Sequence, residues 1–260
     1  MASSPHGCPA PTAAPPACLL PLLLLSQLLV AWVWWRWGWA AGLPLMLATH
    51  ALAWWGVLAP NAPLYGPVLS RLPARGREVW LTIDDGPSDD TGAILDLLDA
   101  HGARATFFLV GELIDRHPEI VRRIVEEGHE LGNHSWSHPS MSGMPIEAQM
   151  EEIARTDARL EAFDSRSRHP FRPPFGRLPR DLLLRFARTG RTIAFWSYDS
   201  NDYQRLPAAT LLERVRADPP KSGDVVLMHD DNADTVALLA SLLPEWRAEG
   251  YAVRAMPAGR

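Results

Sequence analysis

The 260 residues carry 25 basic and 30 acidic side chains, a net charge of −5 with histidine neutral, yet the first 70 residues contain a single charged one, Arg36. Seven of the eleven tryptophans sit in that same stretch, at Trp32, Trp34, Trp35, Trp37, Trp39, Trp54 and Trp55, so the hydrophobic content of 47% averages two unlike segments. This excludes a uniform soluble globule, an intrinsically disordered chain and a collagen-like repeat, and two cysteines are too few for a disulfide scaffold.

Residues 19–35 (LLPLLLLSQLLVAWVWW) and 39–58 (WAAGLPLMLATHALAWWGVL) are apolar runs close to the roughly 20 residues that a membrane-spanning helix needs. They predict an N-terminal hydrophobic helical hairpin over residues 1–60, two transmembrane helices in contact with membrane lipid, with tryptophans at the interface. A removed signal peptide is the weaker reading, because no Lys or Arg precedes the apolar run. Residues 61–76, broken by Pro and Gly, read as a linker, and 77–260 as one folded domain. Cys8 and Cys18 both precede that domain, so its chemistry uses no cysteine. It has no run of Lys or Arg that could track a phosphate backbone, which excludes nucleic acid as a partner.

From residue 78 the chain alternates β-branched or aromatic runs with helical patterns. The runs at 78–83, 105–110, 129–132, 171–173, 192–198, 224–228 and 251–255 predict strands. Helices are predicted at 91–100, from Pro118 to the Gly128 stop, over 146–160, at 179–189 and at 235–249. Seven strands alternating with helices argue for a parallel α/β fold, a barrel or an open doubly wound sheet, with functional residues at the C-terminal ends of strands.

Polar clusters follow several of these strands. Asp84-Asp85-Gly86-Pro87 puts two mutually repelling carboxylates at a strand end, where a solvated turn or a compensating cation would both account for them. His134 and His138, four apart in a loop-like stretch, have the spacing of a metal-binding pair, although nine histidines make such a pair unremarkable by itself. Arg172 leads into Pro173-Pro174-Phe175, and the prolines would fix its guanidinium where it could hold a carboxylate. Asp199 and Asp202 follow one strand and His229 ends another. Together these residues contain one carboxylate and two imidazoles suited to Zn²⁺ or another divalent transition metal, a second carboxylate able to take a proton from water, and a histidine able to protonate a leaving nitrogen.

In this order the clusters resemble the polysaccharide deacetylases, the NodB-homology group also called carbohydrate esterase family 4. TIDDGP is similar to that family's TFDDGP, HSWSH to its H-S/T-x-x-H, RPPFG to its Arg-Pro motif, Asp199-Ser-Asn-Asp202-Tyr203 to a motif ending Asp-Trp, and LMHD to its Leu-x-His. The resemblance implies a distorted (β/α) barrel with about seven parallel strands. It further implies Asp84 as general base oriented by Arg172, and His229 as general acid paired with Asp199. Asp85, His134 and His138 would hold one divalent metal ion, with Zn²⁺ the first choice. Pro173, Phe175, Tyr203 and Leu227 would contact substrate, a main-chain N–H near Phe175 would face the oxyanion, and Tyr203 stands where the family usually has Trp.

The implied reaction is hydrolysis of N-acetyl groups on a GlcNAc-type glycan or oligosaccharide, in a cell membrane with the domain facing the periplasm or exterior. Arg71, Arg75 and Arg77 pull weakly the other way, toward the cytoplasm. The same machinery would also suit an O-acetyl ester or a lipid-linked sugar, and a silent membrane-anchored glycan-binding protein is the non-enzymatic alternative.

Overall fold

The computed structural model of the protein describes residues 20–58 and 68–257. Two helices come first, α1 (Leu20–Trp37) and α2 (Trp39–Leu58), where the apolar runs predict them. The chain reverses at Gly38, whose φ of +77° is left-handed, and the helices meet closely at Gly42, where a Cβ would lie 2.8 Å from that of Trp34. The expected spanning segments find no support here: among the described residues no helix is long and apolar enough to cross a membrane. The apolar run of α1 carries Ser26, Gln27 and Arg36, and that of α2 carries Pro44 and His50.

The expected linker is also revised. Residues 61–67 of it lie outside the described residues, but Val68–Leu69 forms strand β1, Leu72 is buried, and the Leu72 N–H donates to Gly223 O. The domain then runs through β2 (Glu78–Gly86), α3 (Thr91–Ala100), β3 (Thr106–Leu109), the short α4 (Gly111–Ile114), α5 (Pro118–Glu126), β4 (Glu130–Asn133) and α6 (Ile146–Asp164). After α7 (Arg180–Thr189) come β5 (Ile193–Ala194), β6 (Tyr198–Asp199), α8 (Ala208–Ala217), β7 (Val225–His229), α9 (Ala233–Ala248) and β8 (Ala252–Arg254).

The main sheet is parallel in the order β4-β3-β2-β7-β6, with β8 beside the first residues of β2. Single parallel bridges continue it from Asn133 through Phe171 to Ile193 in β5, which pairs with β1, and Arg71 bridges back to Asp224 at the start of β7. The predicted strand at 171–173 is thus only Phe171, because Pro170, Pro173 and Pro174 have no N–H to donate. The predicted strand at 192–198 divides into β5 and β6. Helix α8, buried at Leu211 and Val215 four residues apart, has no counterpart among the predicted helices.

Alternation along β2 divides the interior. Leu81 and Ile83 are fully buried in the main core with Ile94, Leu95 and Leu98 of α3 and Leu238, Leu239 and Leu242 of α9. Each such side chain contributes about 1.5–3 kcal/mol by leaving water. Thr82 and Asp84 alternate with Leu81 and Ile83 and are buried too, hydrogen-bonded to Arg172. Polar chemistry and apolar core thus share one strand through its period of two.

Candidate active site

In a regular strand Asp84 and Asp85 would point to opposite faces. The β2–β3 register shifts between Asp84 and Gly86, and Asp85 has a left-handed φ of 68°, so both carboxylates reach one cleft. Gly86 is required beside them, since a Cβ there would lie 2.1 Å from Asp230 Oδ2.

Asp84 is 3% exposed, and its Oδ1 accepts from Arg172 Nη1 at 2.7 Å. Arg172 is wholly buried: it also donates to Thr82 Oγ1 and to the carbonyls of Ala194 and Phe195, and its guanidinium carbon lies 4.1 Å from the Phe108 ring centroid. Burial pushes its pKa down, and the charge and hydrogen bond of Asp84 oppose that shift. The remaining oxygen, Asp84 Oδ2, lies 3.7 Å from His134 Nε2.

Asp85 Oδ1 lies 3.3 Å from His134 Nε2 and 3.2 Å from His138 Nε2, and one ligand atom from each of the three residues falls within 4.8 Å of the others. Three observations fit a divalent metal here. Asp85 Oδ1 is buried without a hydrogen-bond partner. His134 Nδ1 lies 2.8 Å from Arg172 O, a carbonyl that can only accept, so Nδ1 carries the proton and Nε2 is left as a lone pair toward Asp85. Burial and the neighbouring His134 lower the pKa of His138, favouring the neutral ring, while Asp85 and Asp84 oppose that shift. Burial alone would raise the Asp85 pKa, but the influence of His134 beside it, with His138 and His229, outweighs burial and brings it to about 2, so it stays ionised. Two imidazole nitrogens and one carboxylate oxygen make a donor set that leaves positions open for water.

His229 ends β7 directly beside Asp84, its register partner on β2. The structure corrects its expected partner. Asp202, not Asp199, lies on His229, with Oδ1 2.8 Å from Nδ1 and Oδ2 accepting the His229 backbone N–H at 2.7 Å. Thr235 Oγ1 also donates to Asp202 Oδ2, and Asp202 is fully buried. Asp199 instead accepts the Asn201 N–H at the end of β6. The left-handed Asn201, φ 59°, turns the chain and carries Asp202 under the end of β7. Burial disfavours the charged imidazole, but the bond and charge of Asp202, with Asp84 and Asp85 nearby, push the His229 pKa up to about 9.

Apart from Arg172, which lies beneath, every candidate residue lines one cleft of about 480 Å³, including Pro173, Asp199 and Leu227. Phe175 and Tyr203 stand exposed at its sides, with their rings 4.7 Å from His138 and 5.7 Å from His229. Sequence reasoning did not single out Trp196, Arg205, Asp231 and Asn232, which also line it. No local pattern separates these from ordinary surface residues. Asp202 was within reach, because it directly precedes the aromatic Tyr203 of the fourth motif.

Residues 71–194 match the family described as polysaccharide deacetylase. The chain is 34% identical over 178 residues to a peptidoglycan-N-acetylglucosamine deacetylase of Listeria monocytogenes, covering 67% of this chain and 37% of that relative's length. With a chitooligosaccharide deacetylase of Sinorhizobium fredii it shares 33% identity over 196 residues, covering 69% of this chain and 90% of the relative. Among solved structures, the Bc1960 peptidoglycan N-acetylglucosamine deacetylase in complex with 4-naphthalen-1-yl-N-oxidanyl-benzamide superposes with a TM-score of 0.69 at 31% identity, covering 73% of this chain and 91% of that one. By these matches and its fold, the chain belongs to the polysaccharide deacetylase family.

Proposed function

We propose that the protein is a metal-dependent hydrolase that removes N-acetyl groups from N-acetylated amino sugars in a GlcNAc-type glycan or oligosaccharide. The observation that carries this reading is the convergence of Asp85, His134 and His138 between Asp84, braced by Arg172, and His229, braced by Asp202. The peptidoglycan and chitooligosaccharide deacetylases among its relatives support the substrate class. The N-hydroxy amide carried by the Bc1960 relative is a metal-chelating group, which supports the metal. The distorted (β/α) barrel is supported by the bridges that lead from β4 through Phe171, β5 and β1 back to β7.

A divalent ion held by Asp85, His134 and His138, Zn²⁺ first among those suited to this donor set, supplies Lewis-acid chemistry that polarises the acetamide carbonyl and acidifies water. Asp84, fixed through Oδ1, takes the proton from the attacking water on its other oxygen. A main-chain N–H near Phe175 would stabilise the developing oxyanion. His229, charged through Asp202, donates its proton to the leaving nitrogen, so that the C–N bond breaks to give acetate and a free amine. Phe175 and Tyr203 flank the sugar, and Pro173 and Leu227 supply apolar surface beside the reacting group. With such substrates the domain would work on the periplasmic or outer side of the cell membrane, which a reporter fused after Arg260 tests.

Metal removal tests the reading. The full chain, stripped with a chelator, should lose acetate release from GlcNAc oligomers and recover it with Zn²⁺. No acetate release in any metal-loaded state would overturn the reading. Faster release from an O-acetylated sugar than from the amide would move the substrate to an ester.

A further inference from the structure

Helix α6 lies behind the loop that carries His134 and His138 and holds its start and its middle. The loop needs such support, because Ser135 and His138 have left-handed backbones with φ of 69° and 55°, which non-glycine residues keep only when their surroundings over-determine them. At the near end, Asn133 Oδ1 accepts the Ser135 N–H at 2.9 Å, and Asn133 Nδ2 donates to Asp157 Oδ1 on α6 at 2.8 Å. Between the two left-handed residues, Glu152 of α6 gathers the backbone. Its Oε2 accepts the N–H groups of Trp136 and Ser137 at 3.0 and 2.8 Å, and its Oε1 accepts the Ser137 hydroxyl at 3.0 Å.

The carbonyls of this segment are satisfied from the opposite side, Ser135 O by the Gly111 N–H and Trp136 O by the Glu112 N–H, each at 2.9 Å. The Trp136 ring lies 4.1 Å from the Arg155 guanidinium carbon on α6 and presses against Gly111, where a Cβ would come within 2.4 Å of it. Glu152 does not line the cleft.

We propose that Glu152 is a positioning residue for the metal site. By collecting two consecutive amides it fixes the backbone between the two histidines, so that both Nε2 atoms converge on Asp85 Oδ1. The assignment rests on the metal-site reading given under Proposed function. What matters is an oxygen at the right reach: the charge of Glu152 is secondary.

The test is the Zn²⁺ affinity of the full chain, measured by competition with a chromophoric chelator, alongside the thermal midpoint of the apoprotein. Glu152→Ala should weaken Zn²⁺ binding by about tenfold or more, as outer supports of metal ligands do, while Glu152→Gln, which keeps an oxygen for both amides, should stay within about threefold of wild type. Glu152→Asp keeps the charge but is one methylene short, and should weaken binding as Ala does. If the Ala variant fails to fold, the Gln and Asp pair carries the comparison. Wild-type affinity in the folded Ala or Asp variant would overturn the proposal, as would a lowered midpoint with Zn²⁺ affinity unchanged. Retained affinity in Asp with loss in Gln would assign the effect to charge, also against it. A wild-type chain that binds no divalent ion would overturn the metal-site reading itself, and this proposal with it.

Discussion

The two walls of the cleft use one device with opposite charges. Asp84 and His229 are register partners on the neighbouring strands β2 and β7, and each is held by a buried residue of opposite sign. On the Asp84 wall the support is Arg172, a guanidinium fixed between Thr82, two carbonyls and an aromatic face. On the His229 wall it is the carboxylate of Asp202, itself anchored by Thr235. Arg172 takes up one oxygen of Asp84 and leaves the other to accept a proton. Asp202 keeps the His229 ring charged and so able to give one. Strand register sets the separation of the two groups, and the sign of each buried partner sets the direction in which each moves its proton.

Breaking the acid wall outright has the largest effect among tests of this comparison. His229→Ala should lower kcat by about 10²–10⁴-fold, the range for a positioned general acid, with metal content unchanged. Acetate release and metal analysis of the same sample check it.

Removing only the support is milder. Asp202→Asn should lower kcat/KM by about 10–100-fold, as for outer-shell partners, whereas Asp199→Asn should change it less. The pH profile sharpens this test. His229 must be protonated to donate, so the rate holds below about 9 and falls as pH rises through that value. Asp202 is what outweighs burial to raise that pKa, so in Asp202→Asn the basic limb moves to lower pH, and in Asp199→Asn it stays. A limb that moves only in the Asp199 variant would restore the partner expected from sequence.

The smallest effect belongs to the exposed rim. Tyr203→Ala should raise KM by roughly the few-fold to tenfold that an aromatic contact of about 0.5–1.5 kcal/mol represents. Tyr203→Trp should retain wild-type kcat, measured on the same oligomers.

The legible parts of the molecule are those where local pattern and long-range role coincide. The run at 78–83 ends in two acids and that at 224–228 in His229, so the sequence itself marks where β2 and β7 open into a site. Strand β1 is not legible, because Val68–Leu69 lies in a stretch rich in Pro and Gly and becomes a strand only by pairing with β5, more than a hundred residues away. The choice between Asp199 and Asp202 is legible only from the place of Asp202 directly before Tyr203, since both acids lie in one short segment and the left-handed turn at Asn201 carries Asp202 to His229. The front helices show the limit of apolar content as a guide. It predicts where α1 and α2 form, but Gln27, Arg36 and His50 lie inside them, and among the described residues neither is long and apolar enough to span a membrane.

Acetate release by Asp84→Asn, with Zn²⁺ content measured on the same protein, tests the central claim most directly. Asp84 should be the proton acceptor and not a metal ligand. The variant should therefore keep the wild-type Zn²⁺ content and lose release from GlcNAc oligomers by about 10³-fold, within the range for general-base catalysis. Wild-type release by the Zn²⁺-loaded variant would contradict the account, and so would a loss of activity that merely follows loss of the metal.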